Sequence, residues 1–207
     1  MTDTTARHPS GWRAVLAPTI PAMSWNTRSS RTAYENPWIR VREDAVTRPD
    51  GGAGVYGVLE LRQPSVFVVA LDDDDRVLLV TVDRYTTGPG SVEVPAGGTD
   101  GQEPVEAARR ELLEETGLEA AEWAPVGRME ALNGIAVAPE HVFLARGLRP
   151  AVMPAGAVAA TQEEEGIADV RWVPFADALG LVAAGGIRDG ETIAALALAG
   201  IHLGRFV

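Results

Sequence analysis

The chain contains no cysteine and no lysine. Without cysteine there is no disulfide framework, no thiol nucleophile and no cysteine-ligated zinc. All 18 basic residues are arginine, which reads as a GC-rich coding bias rather than as chemistry. Histidine is scarce too: His8, His141 and His202 are scattered without ligand spacing and are assigned no role. The net charge of -11 argues against nucleic-acid binding, because phosphate backbones reward basic surfaces. It leaves room for a small anionic ligand if cations stand between carboxylates and phosphates. No apolar run is long enough to span a bilayer; the Ala-rich tail from Ile193 to Ile201 falls far short. Arg13, Pro18 and Pro21 interrupt the stretch that a signal peptide would need. The expectation is a cytoplasmic chain with no membrane partner.

What is present is an ordinary globular balance over 207 residues, 46% hydrophobic and 23% charged, enough for one core with an appended N-terminal element. Residues 1–30, rich in Thr, Ser, Pro and Arg, lack periodicity and read as a mobile arm. Strands are expected at Ile39–Thr47, Val55–Leu61, Val66–Leu71, Val77–Val82 and Ser91–Val94, and further on near Trp123–Glu130, His141–Arg146 and Val170–Val173. Asp72 to Asp75 reads as the solvated tip of a hairpin rather than a metal site. Pro95-Ala96-Gly97-Gly98 reads as a loop, and Pro104 opens a helix that Gly117 ends. Glu103 stands at the cap position without being a favoured capping residue. Two closing helices are expected around Phe175–Ala184 and Glu191–Ala199. Strands and helices do not alternate regularly, so the fold class is α/β with helices packed on a mixed sheet.

The central helix carries Arg109-Arg110-Glu111-Leu112-Leu113-Glu114-Glu115-Thr116-Gly117-Leu118. At 3.6 residues per turn, Glu114 and Glu115 fall about 60° and 40° either side of Glu111. Three carboxylates on one face repel one another and weaken an isolated helix. Two explanations stand: a solvated acidic face partnered by Arg109 and Arg110, or a divalent cation, since clustered hard oxygens suit Mg²⁺.

The order of residues decides between them. Glu93-Val94-Pro95-Ala96-Gly97 followed by Arg110-Glu111-Leu112-x-Glu114-Glu115-x-Gly117-Leu118 closely resembles the Nudix box, G-x5-E-x7-R-E-U-x-E-E-x-G-U, in the right strand, loop and helix context. The first half departs from it: Gln102 stands where the family has glutamate, or Glu103 serves across a loop one residue shorter. The resemblance implies a Nudix α/β/α sandwich at 63–207 that hydrolyses diphosphates with Mg²⁺, or with Mn²⁺ in its place. It implies Glu111, Glu115 and the Ala96 carbonyl as metal ligands, Glu114 as a further ligand or orienter within the catalytic set, and Arg110 as the group that orients a helix glutamate.

The chain looks like the ADP-ribose pyrophosphatase branch of that family from about Tyr34 to Leu198. Its strand-rich stretch at 31–62 matches the element through which the branch forms homodimers. Asp83-Arg84-Tyr85 before Gly88-x-Gly90-Ser91-x-Glu93, and Gly186-Ile187-Arg188-Asp189-x-Glu191-Thr192-Ile193 near the end, are similar to its runs. By that resemblance Arg84 contacts a phosphate, against a surface salt bridge otherwise. Glu93 binds substrate or metal, against a plain strand residue. The acidic run Glu163-Glu164-Glu165 falls where the branch places a mobile loop bearing its catalytic glutamate, against a plain charged loop as composition alone. Glu163 is favoured for that role, Glu164 is its neighbour, and Glu165 is a metal ligand. Trp38 and Tyr85 are candidates for base stacking, with packing or a dimer surface as the alternative. Trp123 and Trp172 are read as core. Asn133-Gly134 replaces the branch's proline before glycine, which keeps two alternatives open: a specialised phosphate-linked intermediate as substrate, or a Nudix-derived sensor without turnover.

Overall fold

The structure is a computed structural model that describes residues 24–206. Of the arm expected at residues 1–30, residues 1–23 lie outside the described residues, whereas residues 26–30 open a strand. Three sheets form. The first joins β1 (Asn26–Glu35), β2 (Ile39–Thr47), β3 (Ala53–Leu61) and the short β9 (Ala136–Val137). The second runs β7 (Ala96–Gly98), β4 (Ser65–Ala70), β10 (Pro139–Pro150), β8 (Leu118–Glu130). The third runs β11 (Ile167–Pro174), β5 (Arg76–Arg84), β6 (Gly88–Glu93). Helices α1 (Pro104–Thr116) and α2 (Ala157–Glu165) meet on one side, and α3 (Phe175–Ala183) and α4 (Gly190–His202) cover the other.

β4 explains the sandwich. Successive strand residues face opposite ways, and every residue from Val66 to Ala70 is buried. Val66, Val68 and Ala70 pack with Ala107, Ala108 and Leu112 of α1. Phe67 and Val69 pack instead with Phe175 of α3 and with Ala195, Leu196 and Ala199 of α4. A strand with helices on both faces has to be apolar throughout, and Ser-Val-Phe-Val-Val-Ala is. β4 pairs parallel with β10, Ser65 opposite Glu140, and antiparallel with β7, Phe67 opposite Ala96.

Four expectations are corrected. Asp72 to Asp75 is a turn, but its flanking strands part into different sheets, joined only by a bridge between Leu71 and Val77. Ala96 to Gly98 is a short strand rather than a loop, because the edge of β4 offers it backbone partners. The acidic run is the last turn of helix α2 rather than a loop; Gly156 and Gly166, both left-handed, bound that helix. Trp123 and Trp172 are only partly buried, and each carries an arginine over its ring, Arg109 and Arg76 respectively.

Candidate active site

α1 begins with Pro104, whose missing N–H costs nothing in the first turn. It ends at Gly117, which adopts φ 70° and donates its N–H to the Leu113 carbonyl. Between them the buried face holds Ala107, Ala108 and Leu112, and beside these the carboxylates Glu111 and Glu115, each only 4% exposed. Buried carboxylates ordinarily have partners. Arg110 Nη2 lies 2.9 Å from Glu111 Oε1, and its Nη1 lies 3.0 Å from Glu114 Oε2. For Glu115 the Ala96 N–H approaches Oε1 at 3.5 Å, while Oε2 is buried with no partner at all.

The electrostatics follow from that burial. Glu111 is pushed up to about 7 by desolvation, which Arg110 opposes and Glu165 and Glu114 reinforce. Glu115 is pushed up to about 9 by desolvation, with Glu111 and Glu165 adding their repulsion. Glu111 has Arg110 as its counter-charge, whereas no ion pair reaches Glu115, which feels Arg84 only through space. Gly97 shows how closely the strand lies over them: a Cβ there would overlap the Glu111 carboxylate. Among the described residues no three acidic or histidine side chains already form a complete cage. A small hard cation does not need one, since it keeps waters and takes substrate oxygens. The orphaned oxygen, the desolvated pair and the close backbone fit a divalent cation at this place.

The box's irregular first half is resolved here. Arg110 Nε donates to Gln102 Oε1 at 3.0 Å, and Nη2 donates to the Gly98 carbonyl at 2.8 Å and to Asp100 Oδ2 at 3.1 Å. Gln102, not Glu103, therefore occupies the arginine's acceptor position, and Asp100 restores the missing negative charge. Glu103 only precedes α1, making no side-chain cap.

A cavity of about 590 Å³ is bordered by Arg84, Glu93, Glu140, Arg188, Asp189 and Glu191. Arg84 does contact a carboxylate, but one inside the cavity: its Nε and Nη2 hold both oxygens of Glu93 at 3.1 and 2.6 Å. Thr192, fully buried in α4, accepts the Val94 N–H at 3.1 Å and so ties the strand entering the box to the far wall. Asp189 caps α4 by accepting the Thr192 N–H at 2.7 Å.

Of the acidic run, Glu165 is the member whose charge is felt at both Glu111 and Glu115. Val158, Gln162 and Glu165 share one stripe of α2 by their spacing of four and three residues. Burial and Glu114 raise the Glu165 carboxyl, and Arg84 opposes them. All three glutamates of the run are exposed, and Glu163 and Glu164 fall on other faces of α2 by their spacing. Tyr85 and Trp38 are both exposed. Sequence reasoning missed Asp100 and Gln162, and noted Glu140 only as similar to the branch's pattern, without a role. Glu140 is 5% exposed, and burial with Glu191 and Asp189 nearby raises it to about 7. No spacing rule marks any of the three.

Fold and site together define a class, a hydrolase for phosphate chemistry built on an α/β/α sandwich. The Nudix domain family matches residues 61–196, and the nucleoside diphosphate sugar hydrolase N-terminal domain matches residues 25–59. The chain is 32% identical over 179 residues to an ADP-ribose pyrophosphatase of Mycobacterium tuberculosis, covering 86% of this chain and 81% of that one. It is 27% identical over 181 residues to the CMP-5'-(N-acetyl-N-hydroxy-3-aminopropyl)phosphonate hydrolase of Streptomyces rubellomurinus, covering 86% and 84%. The crystal structure of an ADP compounds hydrolase superposes with a TM-score of 0.74 at 20% identity, covering 87% of this chain and 96% of that one. The chain belongs to the Nudix family, whose hydrolases generally use divalent metal ions. No helix among the described residues is long and apolar enough to cross a membrane.

Proposed function

We propose that this chain is a Mg²⁺-dependent, cytoplasmic, homodimeric diphosphatase. It hydrolyses ADP-ribose or a related nucleoside diphosphate sugar to a nucleoside monophosphate and a sugar phosphate. The observation that carries the reading is the partnerless buried oxygen of Glu115 beside Glu111, under the box strand and within reach of the charge of Arg84, which borders the cavity. Glu111, Glu115 and the Ala96 carbonyl would hold the cation, which supplies Lewis acidity at the diphosphate and at the attacking water. Arg110 fixes Glu111 and Glu114 in register. Arg84 meets a phosphate oxygen when Glu93 yields one of its two contacts. Glu165, rather than Glu163, takes the proton from water; what supports this is its spacing from Gln162, whose side chain bonds the Glu115 carbonyl.

The likeness to the phosphonate hydrolase, together with Asn133-Gly134, favours one second reading: a specialised nucleotide-linked pathway intermediate as substrate. Product release should be measured on ADP-ribose, nucleoside diphosphate sugars, dinucleoside polyphosphates, NADH and a cytidylyl phosphonate, with and without Mg²⁺. Metal-dependent cleavage led by ADP-ribose is expected, and Glu165→Gln should lower kcat by about 10²–10⁴-fold. Preference for the phosphonate would favour the second reading. Silence across the panel in a protein that binds Mg²⁺ would point to a sensor. Near-normal turnover by Glu115→Gln would sink the metal assignment.

A further inference from the structure

Helix α2 buries none of its residues. A helix of 9 residues has little stability of its own in water, so its few tethers decide where Glu165 sits. Three are visible. At its start, Val158 packs over Gly117, close enough that a Cβ on that glycine would stand 3.1 Å from a Val158 methyl. At its end, the Gly166 carbonyl accepts the Asp83 N–H at 2.9 Å, one residue from Arg84. In between, Gln162 Nε2 donates to the main-chain carbonyl of Glu115 at 2.7 Å.

The third contact is the informative one. The last four carbonyls of a helix have no partner within it, and that of Glu115 is among them. Leu113 O is taken by the αL cap at Gly117, but Glu115 O is caught from outside, by a side chain 47 positions further along. Gln162 thus holds the backbone of the residue whose carboxylate carries the orphaned oxygen. It does so from the same stripe of α2 that presents Glu165. The geometry points to Gln162 as a positioning residue, a latch that docks α2 on the end of α1 and so delivers Glu165 to the reaction. The role rests on the hydrolase reading given above. A plain helix-end cap would use the same bond, yet it would act on stability and not through Glu165.

The two roles separate in a double-mutant cycle. Gln162→Leu removes the donor at similar size, and Gln162→Glu sets a carboxylate against the carbonyl. Both should lower kcat about tenfold with KM within about twofold, the pattern of an interaction used in the transition state. In a Glu165→Gln background neither should lower kcat further. In the free enzyme, hydrogen exchange should quicken at amides 160–165 while α1 and the melting temperature hold. Unchanged exchange at 160–165 with unchanged kcat would overturn the latch, as would full additivity with Glu165→Gln. If Glu165→Gln itself leaves turnover intact, the base assignment falls, and the exchange data alone decide whether Gln162 docks α2.

Discussion

At Gly97 the box strand passes so near α1 that a side chain has no room above Glu111. Inserting a methyl into such a contact typically costs about 1–3 kcal/mol. Here the nearest atoms belong to a carboxylate that would hold the cation, so Gly97→Ala should weaken Mg²⁺ binding more than it lowers the melt. Calorimetric titration beside thermal unfolding checks this; wild-type affinity in a normally melting variant would show that the close approach is incidental. Gly97, Arg110, Glu111 and Glu115 were singled out in the sequence through the resemblance of their order to the Nudix box, since helical spacing alone left a solvated acidic face open. Asp100 was not, and Glu140 was noticed without a role. Glu140 reaches the cavity only through the parallel pairing of β10 with β4, which no local pattern encodes. Asp100 acts through a turn at φ 50°, and its carboxylate compensates for a glutamine two residues away. The choice between Glu163 and Glu165 needed the helical phase of α2, and a segment read as a loop has no phase.

Among the elements, α1 declared itself through proline at the start, glycine at the end and an apolar stripe between. β4 and β5 declared themselves as buried runs, although nothing in them showed that they would part into separate sheets. α2 buries nothing, so it had no stripe to read. β1 is exposed along its whole length and is held by its ladder to β2, which a run such as Asn-Thr-Arg-Ser-Ser-Arg does not advertise. An edge strand exposed along 10 residues, on a sheet that also leaves Tyr34, Trp38 and Val55 uncovered, invites a second copy of the chain. Sedimentation at micromolar concentration should give twice the monomer mass. Trp38→Arg or Val55→Arg should weaken association about tenfold or more if either anchors the contact. A wild-type protein that sediments as a monomer would remove the homodimer from the proposal.

For the molecule as a whole, burial has left an acidic protein with carboxyls that prefer their protons. Glu111 and Glu140 stand at about 7 and Glu115 at about 9, all above the ordinary carboxylate value. A group whose folded pKa is raised adds stability that is full below its unfolded pKa and drains away as pH rises through the folded one. The metal-free protein should therefore melt several degrees lower at about pH 8.5 than at about pH 5.5. Mg²⁺ should narrow that gap, because a cation takes the proton's place at Glu111 and Glu115. A metal-free melt that rises with pH would contradict the burial of these groups. The sandwich also hangs both its core and its chemistry on β4: Phe67 is registered with Ala96 of the box on one edge and with Val142 of β10 on the other, and it lines the cavity as well. Along this strand, abundance and activity are a single trait, and inherited variation there cannot tune one without the other. Along α2, which the core does not need, they come apart, so that helix is where the rate can drift while the fold stays as it is.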